Sequence, residues 1–261
     1  MPSDIFLMLE SLLLSLKTLG LRTTLLEIVR RLLKISHHNF CYNFNEFPIC
    51  SDISFRTVRG FIIGGYNVYR IGKEVIVKTP YGFVGVDIND LELLGTLLEP
   101  LDKFYNADVS GSVVIDIGSY IGDTPLLFVS KGAKKVYAFE PNKKIQRYLY
   151  KNVKRNNALD KVFIKPYGIW FYRSENLILF EDIFEIASED IDLIKIDCEG
   201  CEWVLLKTSD DYIRKSERYV MEIHGLPEAL IERMRKAGYH VKHVAKVDKL
   251  ANIYEFYVKY K

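Results

Sequence analysis

The sequence predicts an α/β fold built around a mostly parallel β-sheet. From Gly111 onward, short apolar segments alternate with longer segments of helical periodicity, which is typical of a parallel α/β sheet. Strands are predicted at 112–117, 135–140, 161–166, 191–197 and 218–224. The helices between them are predicted at roughly 122–131, 142–156, 200–207 and 226–237. Two more strands, 239–247 and 252–260, are joined by a short polar loop and predict a C-terminal antiparallel hairpin that closes the sheet.

The 261 residues suit one large domain with additional segments, or two small domains. Residues 1–38 are predicted to be helical, and residues 39–108 to form a small β-rich region followed by a helix. Residues 109–261 then form the α/β domain.

Within the second region, short alternating strands separated by glycine turns predict an antiparallel meander over residues 39–88. A helix is predicted from Asp90 to about Tyr105, with an interruption at Pro100.

Residues 5–34 are strongly apolar but carry charges at intervals, which predicts one or two amphipathic helices with a break near Gly20. Two roles stay open for them: lying on a membrane surface through the basic residues from Arg22 onward, or docking on the protein itself or on a second subunit. No secretory signal is found, and no uncharged apolar stretch reaches about 18 residues. We therefore expect a cytoplasmic location, with membrane association as the alternative.

Composition narrows the function classes. The chain is 49% apolar and 27% charged, as is usual for a globular protein. Its formal net charge of +2 is nearly balanced, so it gives no electrostatic case for a nucleic-acid partner, and we expect a partner of another kind.

The four cysteines are too few for a disulfide scaffold at this length. Cys198 and Cys201 form a single C-x-x-C pair without a matching His/Cys cluster, which argues against a zinc site. We interpret both as small buried residues beside a turn. Whether Cys41 and Cys50 pair is left open.

Residues 112–142 carry the clearest functional signal. A short apolar strand leads into Asp116 and a Gly118-x-x-x-Gly122 turn, and a second apolar strand ends at Glu140. In an open parallel sheet, ligands bind beyond the carboxyl ends of the strands, and an acid about 20 residues after a glycine loop binds ribose hydroxyls. The segment therefore predicts a site for an adenosine-containing cofactor.

The glycine spacing indicates which adenosine cofactor fits. Dinucleotide sites use G-x-G-x-x-G, so that backbone N–H groups can bind a pyrophosphate. Here Asp123 directly follows Gly122, and its carboxylate would repel a phosphate but suits S-adenosylmethionine, which has an ammonium group and no phosphate. A P-loop is excluded, because no Lys-Ser or Lys-Thr follows a glycine-rich run. The alternative is that Asp123 only caps the helix and the glycines only turn the chain.

Two predicted strands that should be apolar on both faces carry charged residues. Lys195 and Asp197 lie at i and i+2 on one strand, and Glu222 and His224 lie at i and i+2 on the next. An unpaired ion in a sheet is costly, so each needs a partner, a ligand or the open end of the sheet. For Lys195 we expect a structural ion pair with a neighbouring acid.

The remaining groups divide between two expectations. Glu202 is expected to lie on a helix surface or to cap the helix. Asp197, Glu199, Glu222 and His224 are expected to be catalytic, because these polar groups at the ends of two adjacent strands would converge on the crevice beside the glycine loop.

Methyl transfer from a sulfonium is an in-line displacement, so the enzyme must hold the acceptor atom close to the methyl carbon. If the acceptor is a hydroxyl, a base must take its proton, and His224 is suited to that role near neutral pH. Asp197 or Glu222 would orient His224 or bind a metal. No resident metal is predicted, and metal dependence is left open.

Four segments resemble, in order and spacing, the FkbM-type S-adenosylmethionine-dependent methyltransferase family: VVIDIGSYIGDTPLLF, VYAFEPN, DLIKIDCEGCEWVLL and VMEIHG. That family typically shows a D-x-G-A-N-x-G-D loop, an A-x-E-P strand end, an I-K-x-D-x-E-G-x-E segment and a late E-x-H. The resemblance covers the chain from Gly111 to Gly225. It implies a Rossmann-like class I methyltransferase fold with a seven-stranded sheet, and O-methylation, often of sugars or natural products.

The resemblance also implies roles for individual residues around the cofactor. Asp116, Gly118 and Gly122 would form the loop on the methionine side, and Glu140 would bind the ribose. The sequence departs from the family at Ser119-Tyr120, where Ala-Asn is usual. The full set expected to contact S-adenosylmethionine is Asp116, Gly118, Ser119, Tyr120, Gly122, Asp123, Glu140 and Pro141.

On the acceptor side, the resemblance places Asp197 and Glu199 beside the transferred methyl group, with Glu222 and His224 opposite. The leading hypothesis is O-methylation of a sugar, a glycolipid or another small molecule. The alternatives are an RNA methyltransferase on the same fold, and a non-catalytic cofactor-binding protein whose N-terminal helices serve assembly or membrane attachment. The identity of the acceptor and the oligomeric state are not encoded in a recognisable pattern.

Overall fold

The computed structural model describes residues 24–25, 28–29, 42–44, 47–49, 52–248 and 250–258. The predicted helices of residues 1–38, including the 5–34 segment, lie almost entirely outside these ranges, and so do Cys41 and Cys50. Two compact units divide the chain: the first extends to Glu99 apart from Pro80–Phe83, and those four residues belong with Pro100 and the rest of the chain. The predicted boundaries at 38 and 108 stay a prediction.

Among the residues that the structure describes, the first unit combines short strands with helices. A hairpin of β1 (Tyr42–Phe44) and β2 (Phe47–Ile49) precedes helix α1 (Asp52–Ile63). Strands β3 (Asn67–Ile71), β4 (Glu74–Thr79) and β5 (Gly82–Asp87) form a sheet in that order, with β3 antiparallel to β4. A 3₁₀ helix, Ile88–Leu98, follows, and Asp87 caps it by accepting from the backbone N–H of Asn89.

Helix α1 corrects the prediction of strands alone over residues 39–88. Thr57, Val58 and Phe61 are buried in it, at a spacing that fits one face of a helix. The segment DISFRTVRGFII mixes β-branched and aromatic residues, which favour strands, so composition obscured the helical period. Strands do follow the helix, over residues 67–87, as the meander prediction required.

The second unit contains the main sheet and a short parallel pair. The strands are β6 (Val113–Ile117), β7 (Lys135–Phe139), β8 (Val162–Lys165), β9 (Gly168–Ile169), β10 (Leu177–Ile178), β11 (Ile191–Ile196), β12 (Ser216–His224), β13 (His240–Lys246) and β14 (Ala251–Tyr257). In the part of the chain that the structure describes, the main sheet has the order β13-β14-β12-β11-β6-β7-β8. Its neighbours from β12 to β8 are parallel, and β14 is antiparallel to both β12 and β13. The predicted Rossmann-like class I methyltransferase fold is confirmed.

The helices of this unit are α2 (Leu101–Phe104), α3 (Asp123–Ser130), α4 (Lys143–Arg155), α5 (Asp182–Ala187), α6 (Asp210–Ile213) and α7 (Glu228–Lys236). A 3₁₀ helix, Cys201–Leu206, stands where an α-helix was predicted. Helix α4 begins after Asn142, whose side chain accepts from the backbone N–H groups of Lys144 and Ile145.

The strand order determines where a ligand can bind. The chain runs from β6 outward through β7 to β8, then restarts at β11 on the other side of β6. Ligands of open α/β sheets bind at the carboxyl ends of the strands where the order reverses, which here is between β6 and β11. All five residues of β6 are buried, so the functional groups of this strand are accessible only at its end.

Truncation of a core aromatic should reveal how much stability this sheet contributes. Phe139 at the end of β7 is fully buried, so Phe139→Ala should lower the free energy of unfolding by about 3–5 kcal/mol. The matched control Phe171→Ala removes a ring that is 40% exposed and should cost under about 1 kcal/mol. Urea unfolding followed by circular dichroism measures both. Equal losses for the two variants would contradict the assigned burial.

Candidate active site

The turn between β6 and α3 forms the first half of the site. Gly118 has a φ of +81° and Gly122 one of +98°, in the left-handed region that glycine adopts without strain. The backbone N–H groups of Gly118 and Ser119 both donate to the carbonyl oxygen of Phe139, at 3.1 Å. A Cβ atom on Gly118 would overlap the carbonyl oxygen of Asp197, so this turn and the end of β11 meet backbone to backbone.

Asp123 is the first residue of α3 and is almost fully buried. The N-cap position is held by Gly122, without a side-chain capping bond, so Asp123 is not the capping residue that the alternative interpretation required. Tyr120, within the same turn, has a φ of +46°.

A buried lysine connects the two central strands. Lys195 of β11 is in register with Asp116 of β6, and its Nζ lies 3.0 Å from Oδ1 of Asp116 and 3.7 Å from Oδ2 of Asp197. The same Nζ donates to the carbonyl oxygen of Gly118 at 2.8 Å. Burial alone would lower the pKa of Lys195, but the two carboxylates outweigh it and raise the pKa above its usual value. The ion pair expected for Lys195 is therefore present, and the lysine is charged.

Tyr105 is a site residue that sequence reasoning missed. It is 1% exposed, and its hydroxyl donates to Oδ2 of Asp197 at 2.8 Å. Burial, and then the charge of Asp197, raise the pKa of Tyr105 well above its usual value, so the hydroxyl keeps its proton and remains a donor. One aromatic residue at the end of a predicted helix carried no signal of this contact.

Glu140 follows β7 on the other side of the glycine turn, and Pro141 comes directly after it. Its side chain is buried, and its carboxylate accepts from the backbone N–H groups of Asn142, at 2.8 Å, and of Tyr120. Burial raises the pKa of Glu140 above its usual value, although these two hydrogen bonds and the charge of Lys195 act in the opposite direction. The acid is thus fixed in place at the end of the strand.

Glu202 does not lie on the helix surface, because its side chain is 0% exposed, but it makes a contact of the expected capping kind with Gly200, the N-cap residue of the 3₁₀ helix. One carboxylate oxygen, Oε2, accepts from the backbone N–H of Gly200 at 2.9 Å. The other, Oε1, accepts from the backbone N–H of His224 at 3.0 Å and lies 3.2 Å from the ring Nδ1. Glu202 therefore contacts the ring at Nδ1 and can orient His224, a role that was expected of Asp197 or Glu222. The sequence feature that could have indicated this contact is the position of Glu202 as the final acid of the D-x-E-G-x-E segment.

The second ring nitrogen of His224 faces two further carboxylates. Nε2 lies 3.5 Å from Oε1 of Glu222 and 3.5 Å from Oε2 of Glu199, whose side chain is 88% exposed. Burial alone would lower the pKa of His224, but the charges of Glu202, Glu199 and Glu222 outweigh it and raise the pKa. Asp248, ahead of β14, also interacts electrostatically with His224.

Cys198 and Cys201 are joined in a disulfide, with their Cα atoms 5.5 Å apart. They lie beside a turn as predicted, and Cys201 is buried, but Cys198 is only partly buried and the bond between them was not predicted. The bond closes the turn that contains Glu199 and Gly200. Two cysteines three positions apart are compatible with a bond, a metal site or plain packing, and spacing alone does not separate these cases.

The structure brings three of the four predicted catalytic residues together. One ligand atom each from Asp197, Glu222 and His224 lies within 4.8 Å of the others, so the group could share a proton or hold a metal ion. Glu199 contacts His224 from the solvent side of this cluster.

Comparisons with known proteins agree with this geometry. A family model described as a methyltransferase domain matches residues 136–255, which contain Glu140, Asp197, Glu222 and His224. The uncharacterized protein 158B of Sulfolobus islandicus rod-shaped virus 1 is 31% identical over 131 residues, or 49% of this chain and 71% of that protein. The chain belongs to the same family as this viral protein. The uncharacterized protein 65 of Sulfolobus islandicus filamentous virus (isolate Iceland/Hveragerdi) is 29% identical over 129 residues, or 49% of this chain and 70% of that protein.

Residues 136–255 of the chain therefore belong to a methyltransferase domain. The groups at the glycine turn fit S-adenosylmethionine as the cofactor of this domain. Gly118 and Gly122 leave no side chain at their own positions in the turn, and the carboxylates of Asp116, Asp123 and Glu140 form a set of acceptors that suits a cation and hydroxyls but would repel phosphate.

The expectation that a nucleic-acid partner is unlikely was wrong. A solved structure of a candidate tRNA (m1A22) methyltransferase from Streptococcus pneumoniae, in complex with S-adenosyl-L-methionine, is among the structures similar to this chain: it is 16% identical with a TM-score of 0.48, over 62% of this chain and 72% of that one. The argument from net charge failed because a sum over the chain does not report where the charges lie. Helix α4, for example, exposes a run of basic side chains: Lys143, Lys144, Arg147, Lys151 and Lys154.

None of the helices among the described residues is long and apolar enough to cross a membrane. The cytoplasmic location and the membrane-surface role of residues 5–34 stay predictions.

Two glycine substitutions should separate backbone strain from the close approach of the turn to β11. Gly118→Ala and Gly111→Ala both place a side chain at positive φ, which costs about 1–2 kcal/mol. Only Gly118→Ala also meets a backbone oxygen, because nothing lies within 4 Å of a Cβ on Gly111. Gly118→Ala should therefore lose about 1–3 kcal/mol more of the free energy of unfolding, measured by urea titration. Equal losses would show that the turn and β11 are not in contact.

Proposed function

We propose that this methyltransferase is O-directed and transfers a methyl group to a hydroxyl of a sugar, a glycolipid or another small molecule, as in the FkbM-type family that its motifs resemble. The observation that supports this is the position of His224 at the end of β12. Its Nδ1 lies against the buried Glu202, and its Nε2 lies beside Glu222. A hydroxyl must lose a proton when it is methylated, and an imidazole at the carboxyl edge of the sheet is suited to take it.

On the donor side, Glu140 would bind the ribose hydroxyls, because its carboxylate is fixed by two backbone N–H groups at the end of β7. The glycine turn would hold the methionine portion, with the set Asp116, Gly118, Ser119, Tyr120, Gly122, Asp123 and Pro141 around it. When bound, S-adenosylmethionine supplies an electrophilic methyl group on a positively charged sulfur.

On the acceptor side, His224 would take the hydroxyl proton at Nε2. Glu222 lies 3.5 Å from that nitrogen and would stabilise the imidazolium that forms. Asp197, held by Tyr105 and Lys195, would orient the acceptor hydroxyl. Glu199 is exposed and would contact the acceptor at the entrance.

Loss of the base should stop methylation without loss of the cofactor. We expect His224→Ala to lower the methylation rate by about 100- to 10,000-fold. The Kd of S-adenosylmethionine, measured by calorimetry, should stay within about threefold, since His224 lies on the acceptor side. His240→Ala, an exposed histidine of β13, is the matched control and should keep full activity.

The acceptor is found by incubating the protein and methyl-labelled S-adenosylmethionine with glycan, glycolipid, metabolite and RNA pools, with and without EDTA. Label on an ether oxygen, located by mass spectrometry, supports the proposal. Label on a base nitrogen of RNA would contradict transfer to oxygen but would still agree with methyltransferase activity. Tight cofactor binding without label in any pool would favour a non-catalytic role.

Removal of the carboxylate that would bind the ribose should weaken cofactor binding. Glu140→Ala deletes a charged hydrogen-bond acceptor, worth about 1.5–3 kcal/mol, so the Kd of S-adenosylhomocysteine should rise by about 10- to 100-fold. Asp160→Ala, at an exposed acid after α4, should leave that Kd unchanged. An unaltered Kd in Glu140→Ala would remove this residue from the donor side.

A further inference from the structure

We propose that Glu202 is a positioning residue for His224, and that its buried carboxylate fixes the tautomer in which Nδ1 carries the proton and Nε2 presents its lone pair. This inference rests on the proposed function in one respect, namely that His224 takes a proton from the acceptor. The contact itself exists independently of the reaction.

The hydrogen bonds determine the tautomer. An ionised carboxylate only accepts, so a ring nitrogen that faces it must donate. Oε1 of Glu202 lies 3.2 Å from Nδ1 of His224, which places the ring proton on Nδ1 when the imidazole is neutral. Nε2 also faces carboxylates, those of Glu222 and Glu199, but it lies 3.5 Å from each, farther than Nδ1 lies from Glu202. The single proton of the neutral ring therefore goes to the shorter contact at Nδ1, and the lone pair is on Nε2.

The same carboxylate also fixes the ring to the main chain. Oε1 accepts from the backbone N–H of His224 at 3.0 Å, and Oε2 accepts from the backbone N–H of Gly200 at 2.9 Å. Glu202 therefore bridges the turn after β11 and the end of β12. A carboxylate can accept from both backbone N–H groups, whereas a glutamine would place its NH₂ group, which is a donor, against one of them.

Burial makes a purely structural role a poor explanation of this residue. A fully buried carboxylate is expensive, and replacing buried ionic groups by apolar ones is often neutral or stabilising. The disulfide Cys198–Cys201 closes the turn directly before Glu202, and the carboxylate itself is held by the backbone N–H groups of Gly200 and His224. A costly group held this firmly against one imidazole fits a role in positioning that imidazole.

The test reads the tautomer of His224 directly. The full chain is labelled with ¹⁵N-histidine, the His224 signals are assigned by their absence in His224→Ala, and spectra are recorded with rising pH until the ring is neutral. We expect the Nδ1–H tautomer in the unaltered protein, and a loss of that preference in Glu202→Gln and in Glu202→Met. Glu189→Gln, which removes a different carboxylate partner from Lys135 and Tyr137, is the matched control and should leave the tautomer unchanged.

Once a methyl acceptor is identified, both Glu202 variants should show a kcat for methylation about 10- to 100-fold lower than that of the unaltered protein. Their KM for S-adenosylmethionine should stay within about twofold. Thermal unfolding checks that each variant is folded, and Glu202→Met covers the case in which Glu202→Gln does not fold. An Nε2–H tautomer in the unaltered protein, or one unaffected by both variants, overturns the inference. A correct tautomer without any hydroxyl methylation would instead refute the proposed function and leave the positioning of His224 intact.

Discussion

The site depends on one buried cation. Lys195 lies between Asp116 of β6 and Asp197 at the end of β11, and it also binds the carbonyl oxygen of Gly118. Removing one partner from a buried ion pair costs about 3–5 kcal/mol, because it leaves an uncompensated charge. The lysine therefore fixes the glycine turn and Asp197 relative to each other.

This arrangement separates two kinds of chemistry along one sheet edge. The ends of β6 and β7 present a turn bounded by two glycines and a fixed acid, Glu140, which suits a nucleoside with a positively charged tail. The ends of β11 and β12 present Asp197, Glu222 and His224, which suit proton transfer or a cation. Because neighbouring parallel strands end on the same side, these two sets of groups lie at the same edge of the sheet.

The sequence predicted what periodicity and local charge encode. Apolar runs and glycine turns predicted the strands of the main sheet, and a charge in a strand covered on both faces required a partner, which the structure supplies for Lys195. The contact between Tyr105 and Asp197 joins residues 92 positions apart, and no local sequence pattern predicts it.

Other errors of the sequence-based predictions came from the path of the backbone and the distribution of charge, which composition does not report. Whether Glu202 points outward or inward depends on the path of the turn that carries it, and Glu199 and Gly200 in that turn both have positive φ. The disulfide between Cys198 and Cys201 follows from the same path. Net charge likewise gave a wrong answer about nucleic acid, because it averages over surfaces with different charge.

The most direct test of the account is a crystal structure of the protein with S-adenosylhomocysteine. The account predicts ribose hydroxyls within hydrogen-bonding distance of the Glu140 carboxylate, and a sulfur atom that faces Asp197 and His224 across the end of the sheet. A nucleoside bound away from Glu140, or a sulfur directed away from the His224 ring, would contradict it.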